Sequence, residues 1–160
     1  MEHEFHNELK QTTLTHILKF GYHAFTEFNL SGKYAADILV IGPAESILIF
    51  EIKVTYKAQD IEHSWKKYSP YCHGLYIVLP DAAVPLHDRD DGIFKWRDTS
   101  AATGIMTVKA RQLTMIRQAI PRKMNTTMHA QVLQEARRRI AKSTEDSTSP
   151  RYQRQKETAR

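Results

Sequence analysis

The sequence predicts a mixed α/β domain in which helices flank a central mixed β-sheet. Three observations lead there. A helix-period segment precedes two branched-apolar runs joined by a five-residue turn. A second helix-period segment then separates that hairpin from another short apolar run, the pattern of a βαβ crossover. Finally, 160 residues with 41% hydrophobic content can bury one core, so the expectation is one domain over residues 1–141 followed by a polar tail.

The elements follow in order. Residues 4–20 place Phe5, Leu9, Leu14, Ile17, Leu18 and Phe20 at roughly helical spacing, and Gly21 stands where a helix often stops. Residues 22–28 read as a strand and Ser31-Gly32 as a turn. Tyr34 to Ile41 and Ile47 to Val54 are strands, joined through Gly42-Pro43-Ala44-Glu45-Ser46 into a hairpin. Over residues 59–69, Ile61, Trp65 and Tyr68 recur at helical spacing until Pro70 ends the helix. A strand at 74–79 precedes the irregular stretch 80–103. There, Asp88-Arg89-Asp90-Asp91-Gly92 resembles a calcium loop only superficially, and its glycine, fifth where an EF-hand needs it sixth, rules that reading out. A second hairpin over 105–108 and 113–116 leads to a last helix at 126–141, with Met128, Val132, Ala136 and Ile140 four apart. From Lys142 onward aliphatic patterning ceases, predicting a mobile tail of charge +2, from five Lys/Arg and three Asp/Glu.

Composition narrows the function classes. No apolar run approaches the roughly 20 residues that span a bilayer, and the acidic start predicts no secretory signal. Cys72 is the only cysteine, so intrachain disulfides and thiolate zinc sites are excluded, and a cytoplasmic setting is expected. A net charge of +5 permits a polyanionic partner without requiring one.

The first hairpin carries the chemistry. Side chains alternate faces along a strand, so Glu51 and Lys53 share a face, as do Asp37, Leu39 and Ile41 on the partner strand. If the turn pairs Ile41 with Ile47, Asp37 falls opposite Glu51, with the carboxylates about 5 Å apart. Like charges so placed repel, and a divalent cation between them reverses the sign of the interaction. Hard oxygen donors suit Mg²⁺ or Mn²⁺. Lys53 would then serve a water or offset phosphate charge. The competing reading is a solvated strand edge with an ion pair, since acid followed by acid-x-Lys is a short pattern.

Asp37, thirteen residues, then Glu51-Ile52-Lys53, preceded by an acidic helix, resembles the core of the PD-(D/E)XK nuclease superfamily. Its order of helix, three antiparallel strands, helix and strand matches the order read here. The run from Ala35-Ala36-Asp37-Ile38-Leu39-Val40 to Phe50-Glu51-Ile52-Lys53, with Trp65-Lys66-Lys67-Tyr68, Tyr71-Cys72-His73-Gly74-Leu75-Tyr76 and Thr103-Gly104-Ile105-Met106-Thr107-Val108, is most similar to the MmcB-like DNA-repair branch. Ala36 stands where the motif's name has Pro. The resemblance implies a restriction-endonuclease-like core of order αβββαβ. It further implies a Mg²⁺- or Mn²⁺-dependent phosphodiesterase acting on DNA in repair, recombination or processing. Asp37, Glu51 and the backbone carbonyl of Ile52 would ligate metal, and Lys53 would serve the attacking water. The superfamily often adds a glutamate from the first helix, and Glu8, 29 residues before Asp37, is favoured over Glu4 for that role. Related folds often pair to cut both strands, which allows a homodimer.

Further candidates are weaker. Lys57, Lys66 and Lys67 could contact DNA phosphates, and Gln59 beside them could too, although a polar helix start explains Lys57 and Gln59 slightly better. Cys72-His73 could suggest a thiol catalyst, but one adjacent pair at a strand start reads better as structural. Arg137-Arg138-Arg139 reads as a solvated helix face before a DNA contact. A second function reading keeps the fold without the reaction: an inactive nuclease-fold module, of phage or mobile-element origin among others, that binds DNA or a protein.

Overall fold

The computed structural model describes residues 2–84 and 102–148. Helix α1 (Glu2–Leu18) is followed by strands β1 (His23–Leu30), β2 (Tyr34–Ile41) and β3 (Ile47–Ile52), helix α2 (Ala58–Tyr68), strand β4 (Gly74–Pro80), strands β5 (Gly104–Lys109) and β6 (Gln112–Arg117), and helix α3 (Thr126–Thr148). The expected order is all present. The six strands form one open sheet in sequence order, antiparallel for β1 through β3, parallel from β3 through β5, and antiparallel again at β6.

Alternation along the strands splits the core into two layers. Leu39, Ile49, Leu75, Ile77 and Leu79 face one way and pack with Ile61 and Tyr68 of α2 and with Val132 and Ala136 of α3. Ile38, Val40, Phe50, Ile52, Tyr76 and Val78 face the other way, toward Leu9 and Ile17 of α1. β4 is buried along its whole length, as a strand paired in parallel on both sides should be. Where β5 begins, a Cβ on Gly104 would stand 2.8 Å from the Ala119 nitrogen and would also strike the Tyr76 ring, so only glycine fits that approach.

Three expectations shift. α1 ends at Leu18, with Gly21 at φ +77° reversing the chain, and Phe5, Leu18 and Phe20 are exposed while Lys10 and Thr13 are buried. Leu9 and Ile17 turn inward as their spacing implies, and two polar residues share that face with them. β3 ends at Ile52, because Lys53 leaves the strand, although its N–H still donates to the Val78 carbonyl at 2.9 Å. α3 runs to Thr148, seven residues past the expected boundary at 141. Lys142 to Thr148 lack aliphatic patterning but contain no helix breaker, and Pro150 is the first residue that disfavours α geometry just before it. The acidic cluster at 88–92 and residues 149–160 of the expected tail lie outside the described residues.

Candidate active site

The β2–β3 register is the one the turn length implied: Ile41 pairs with Ile47, Val40 with Leu48, Leu39 with Ile49, and Ile38 with Phe50. One row further, Asp37 and Glu51 replace the backbone ladder with their side chains. Glu51 Oε1 accepts from the Asp37 N–H at 2.9 Å, and Asp37 Oδ2 accepts from the Ile52 N–H at 2.9 Å. Each carboxylate thus satisfies a backbone donor that the parted strands would otherwise leave bare.

The gap between these strands is reached from both faces of the sheet. From the α2 side comes Tyr68, whose hydroxyl donates to the Ala35 carbonyl at 3.3 Å and also meets Glu51. Burial first, and then the Glu51 and Asp37 charges, push this phenol above its usual range. From the α1 side, His6 Nε2 lies 3.5 Å from Asp37 Oδ2. Glu51 itself is only 6% exposed. Burial, reinforced by the Asp37 charge, pushes its carboxyl up to about 7, while the Asp37 N–H, Lys53 and Lys67 pull it down. Lys53 and Lys67 therefore stand close enough to act on the pair.

A third acid joins the row, and the sequence reading missed it. In the β1–β2 ladder Thr26 pairs with Ile38 and Phe28 with Ala36, which sets Glu27 across from Asp37. Glu27 has φ +49°, and its carboxylate pairs with Lys10 Nζ of α1. Arg139 of α3 donates to the carbonyls of Thr26 at 3.2 Å and Glu27 at 3.0 Å, pinning this strained backbone. The signal was present in the tight Ser31-Gly32 turn, which fixes Leu30 opposite Tyr34 and hence Glu27 opposite Asp37.

The structure places the expected α1 glutamate away from the acidic row. Glu8 is exposed and lines a surface cleft with Gln11, Thr12, Thr15, His16, Lys19 and Arg111. At about 100° per residue, Glu8 and Glu4 point roughly opposite to His6 and Lys10, so α1 offers the acidic row a histidine and a lysine. Ile52 enters through its N–H, while its carbonyl was the atom expected to ligate. Lys66 pairs with Glu62 at 3.2 Å in the open, whereas Lys67 sits over the rings of Tyr34 and Tyr68 at 4.8 and 4.9 Å. Lys57 is exposed at the N-cap of α2 with no side-chain capping bond, and Gln59 is exposed in the first turn.

The remaining candidates are structural. Cys72 is buried and its thiol is pushed up to about 12 by that burial, which disfavours the thiolate that a nucleophile needs. His73 Nδ1 accepts from the Ile47 N–H at 2.9 Å and its ring packs edge-on against His129. Arg137 contacts Glu45, Arg138 pairs with Glu135, and Arg139 is committed to β1. Among the described residues, no three His, Cys, Asp or Glu side chains converge as a metal cage. No helix among them is long and apolar enough to cross a membrane.

An α/β chain with a paired-carboxylate row and attendant lysines is the class that fold and site define. The family profile described as DNA repair protein MmcB-like matches residues 3–148, and the chain belongs to that family. The solved structure of the SPO1766 protein of unknown function from Silicibacter pomeroyi is similar at a TM-score of 0.69 and 16% identity, covering 91% of this chain and 92% of that one. At that identity the likeness shows a shared fold. No match was found among curated proteins.

Proposed function

We propose that this DNA-repair family member is a Mg²⁺- or Mn²⁺-dependent DNA nuclease of the PD-(D/E)XK type. The observation that carries the reading is the Asp37–Glu51 pair, two carboxylates held across β2–β3 with Lys53 beside them. The donor set fits the ion. Asp37 Oδ2 and Glu51 Oε1 each accept one backbone N–H, and an ionised carboxylate has about four lone-pair sites, so both groups keep hard oxygen donor capacity. Mg²⁺ usually takes one or two carboxylates and fills its remaining positions with water and substrate phosphate, so a three-acid cage is not required. The Ile52 carbonyl would join Asp37 and Glu51 in holding it. Such an ion supplies Lewis acidity and neutralises phosphate charge.

The chain's own residues do the rest. Asp37 and Glu51 would hold that ion at the place where the reacting phosphate lies. Lys53 orients the attacking water and offsets the charge growing on the phosphate oxygens. Oxygen of that water bonds to phosphorus as one P–O ester bond breaks. The water's proton passes to solvent, and the departing alkoxide takes a proton from solvent. Lys57, exposed at the start of α2, would contact the DNA backbone independently of sequence.

A specific observation favours a second reading, a DNA-binding module that does not cut. His6, Lys10, Lys53 and Lys67 already surround the acidic row with groups that can offset its charge without metal. Calorimetry with Mn²⁺ separates the two. Binding that is lost in Glu51→Gln supports the nuclease. No heat at millimolar Mn²⁺, in protein that still binds DNA, supports the module.

A further inference from the structure

We propose that Lys67 is the side chain that seats a DNA phosphate at the carboxylate pair, and that its neighbour Lys66 has no part in this. The inference deepens the nuclease reading and rests on that reading for where the phosphate lies.

Adjacent lysines on a helix point about 100° apart, so they need not share a role. Lys66 is turned to solvent, its side chain 68% exposed, and pairs with Glu62 one turn earlier. Lys67 is half-buried instead. Its ammonium lies over two aromatic faces at once, 4.8 Å from the centre of the Tyr34 ring and 4.9 Å from that of Tyr68. Those rings belong to the site's own walls. Tyr34 opens β2 three residues before Asp37, and the Tyr68 hydroxyl reaches Ala35 and Glu51.

Two consequences follow. A free lysine samples many rotamers, and the cost of fixing it is charged against every contact it makes. Here the two rings hold the ammonium in place before DNA arrives, as preorganised charge should be held. Aromatic faces also attract a cation without consuming its N–H donors as a carboxylate would, so those donors stay available to phosphate oxygens. A phosphodiester approaching Asp37 and Glu51 meets like charge. A fixed cation beside the pair offsets that repulsion where it is strongest.

The test compares Lys67→Ala, Lys67→Arg and Lys66→Ala in the full chain, after melting curves show that each folds. Fluorescence anisotropy with a labelled DNA duplex is read in Ca²⁺, used as a cation that need not support cutting, and again in EDTA. Cleavage of the same duplex and of its single strand is timed in Mn²⁺. Lys67→Ala should lose the Ca²⁺-dependent part of DNA affinity and lower kcat by about 100-fold, with Mn²⁺ affinity unchanged. Lys67→Arg should recover part of the binding. Lys66→Ala should bind in Ca²⁺ and cut within about twofold of the parent, as an ordinary backbone contact would. Equal losses in Lys66→Ala and Lys67→Ala would overturn the proposal, as would a Lys67→Ala protein that keeps its Ca²⁺-dependent affinity. If the parent cuts neither DNA, the nuclease reading fails on its own, and the anisotropy still decides whether Lys67 seats the phosphate.

Discussion

The β2–β3 pair has two halves, and they follow different rules. From Ile38–Phe50 to Ile41–Ile47 the strands exchange backbone hydrogen bonds, and their side chains, among them Ile38, Leu39, Ile47 and Ile49, are fully buried in apolar layers. One residue beyond, Asp37 and Glu51 take over the backbone donors with carboxylates, in a gap approached by His6, Tyr68, Lys53 and Lys67. The same strands thus build stability at the turn end and hold repelling, desolvated charge at the open end. A buried acid that neighbours another acid is destabilising by itself. Its presence beside an otherwise apolar ladder is what a site designed for a ligand would look like.

The comparison can be broken most sharply at the open end. Glu51→Gln should abolish Mn²⁺-dependent cleavage, and Lys53→Ala should slow it by about 100-fold or more while metal and DNA still bind. Timed digestion and calorimetry on both variants check this. A Lys53→Ala protein that cuts at the parental rate would remove Lys53 from the mechanism.

At the ladder end the large effect should be on stability. Ile49→Ala removes a fully buried side chain and should cost about 2–5 kcal/mol, read by urea denaturation. A loss below about 1 kcal/mol would mean that this half is not the tightly packed region its burial indicates.

The two ends should also differ in their response to pH. The Glu51 carboxyl is raised from 4.5 to about 7 on folding, so the folded chain keeps a proton that the unfolded chain gives up. That contribution is complete below about pH 4.5 and is lost as pH rises through about 7. In EDTA, Glu51→Gln should therefore gain on the parent as pH rises, by about 5 °C in Tm between about pH 5 and pH 8.5. A difference in Tm that does not change with pH would show that Glu51 keeps its ordinary acidity.

The smallest effect belongs to the chain end. Ala141, Lys142 and Ser143 are exposed although α3 continues through them, and Val132 and Ala136, the buried residues of this helix among those whose burial is described, lie earlier. Truncation after Ala141 should cost less than about 1 kcal/mol. Unfolding on truncation would place core contacts beyond that point.

Much of this arrangement was legible in the sequence because local rules governed it. A five-residue turn sets the β2–β3 register, and alternation then puts Asp37 opposite Glu51. What escaped depended on distant partners. Lys10 is buried although charged, because Glu27, seventeen residues away, meets it. Leu9 and Ile17 are buried as their spacing implied, but Phe5, Leu18 and Phe20 share that spacing and are exposed, so the apolar residues fixed the phase of α1 too loosely to show His6 facing Asp37. Glu27 was hidden because the register of β1 was not followed through the Ser31-Gly32 turn. Lys66 and Lys67 are equivalent as letters and differ only once Tyr34 is folded beneath one of them.

The most direct test of the central claim is a single cleavage experiment with Mn²⁺ as the variable. Single-stranded, duplex, flap and branched DNA are incubated side by side with the parent chain and with Asp37→Asn. The expected result is cutting of at least one substrate that rises with Mn²⁺, stops in EDTA and is absent in Asp37→Asn. Intact DNA in every lane at millimolar Mn²⁺, or equal cutting by Asp37→Asn, would contradict it.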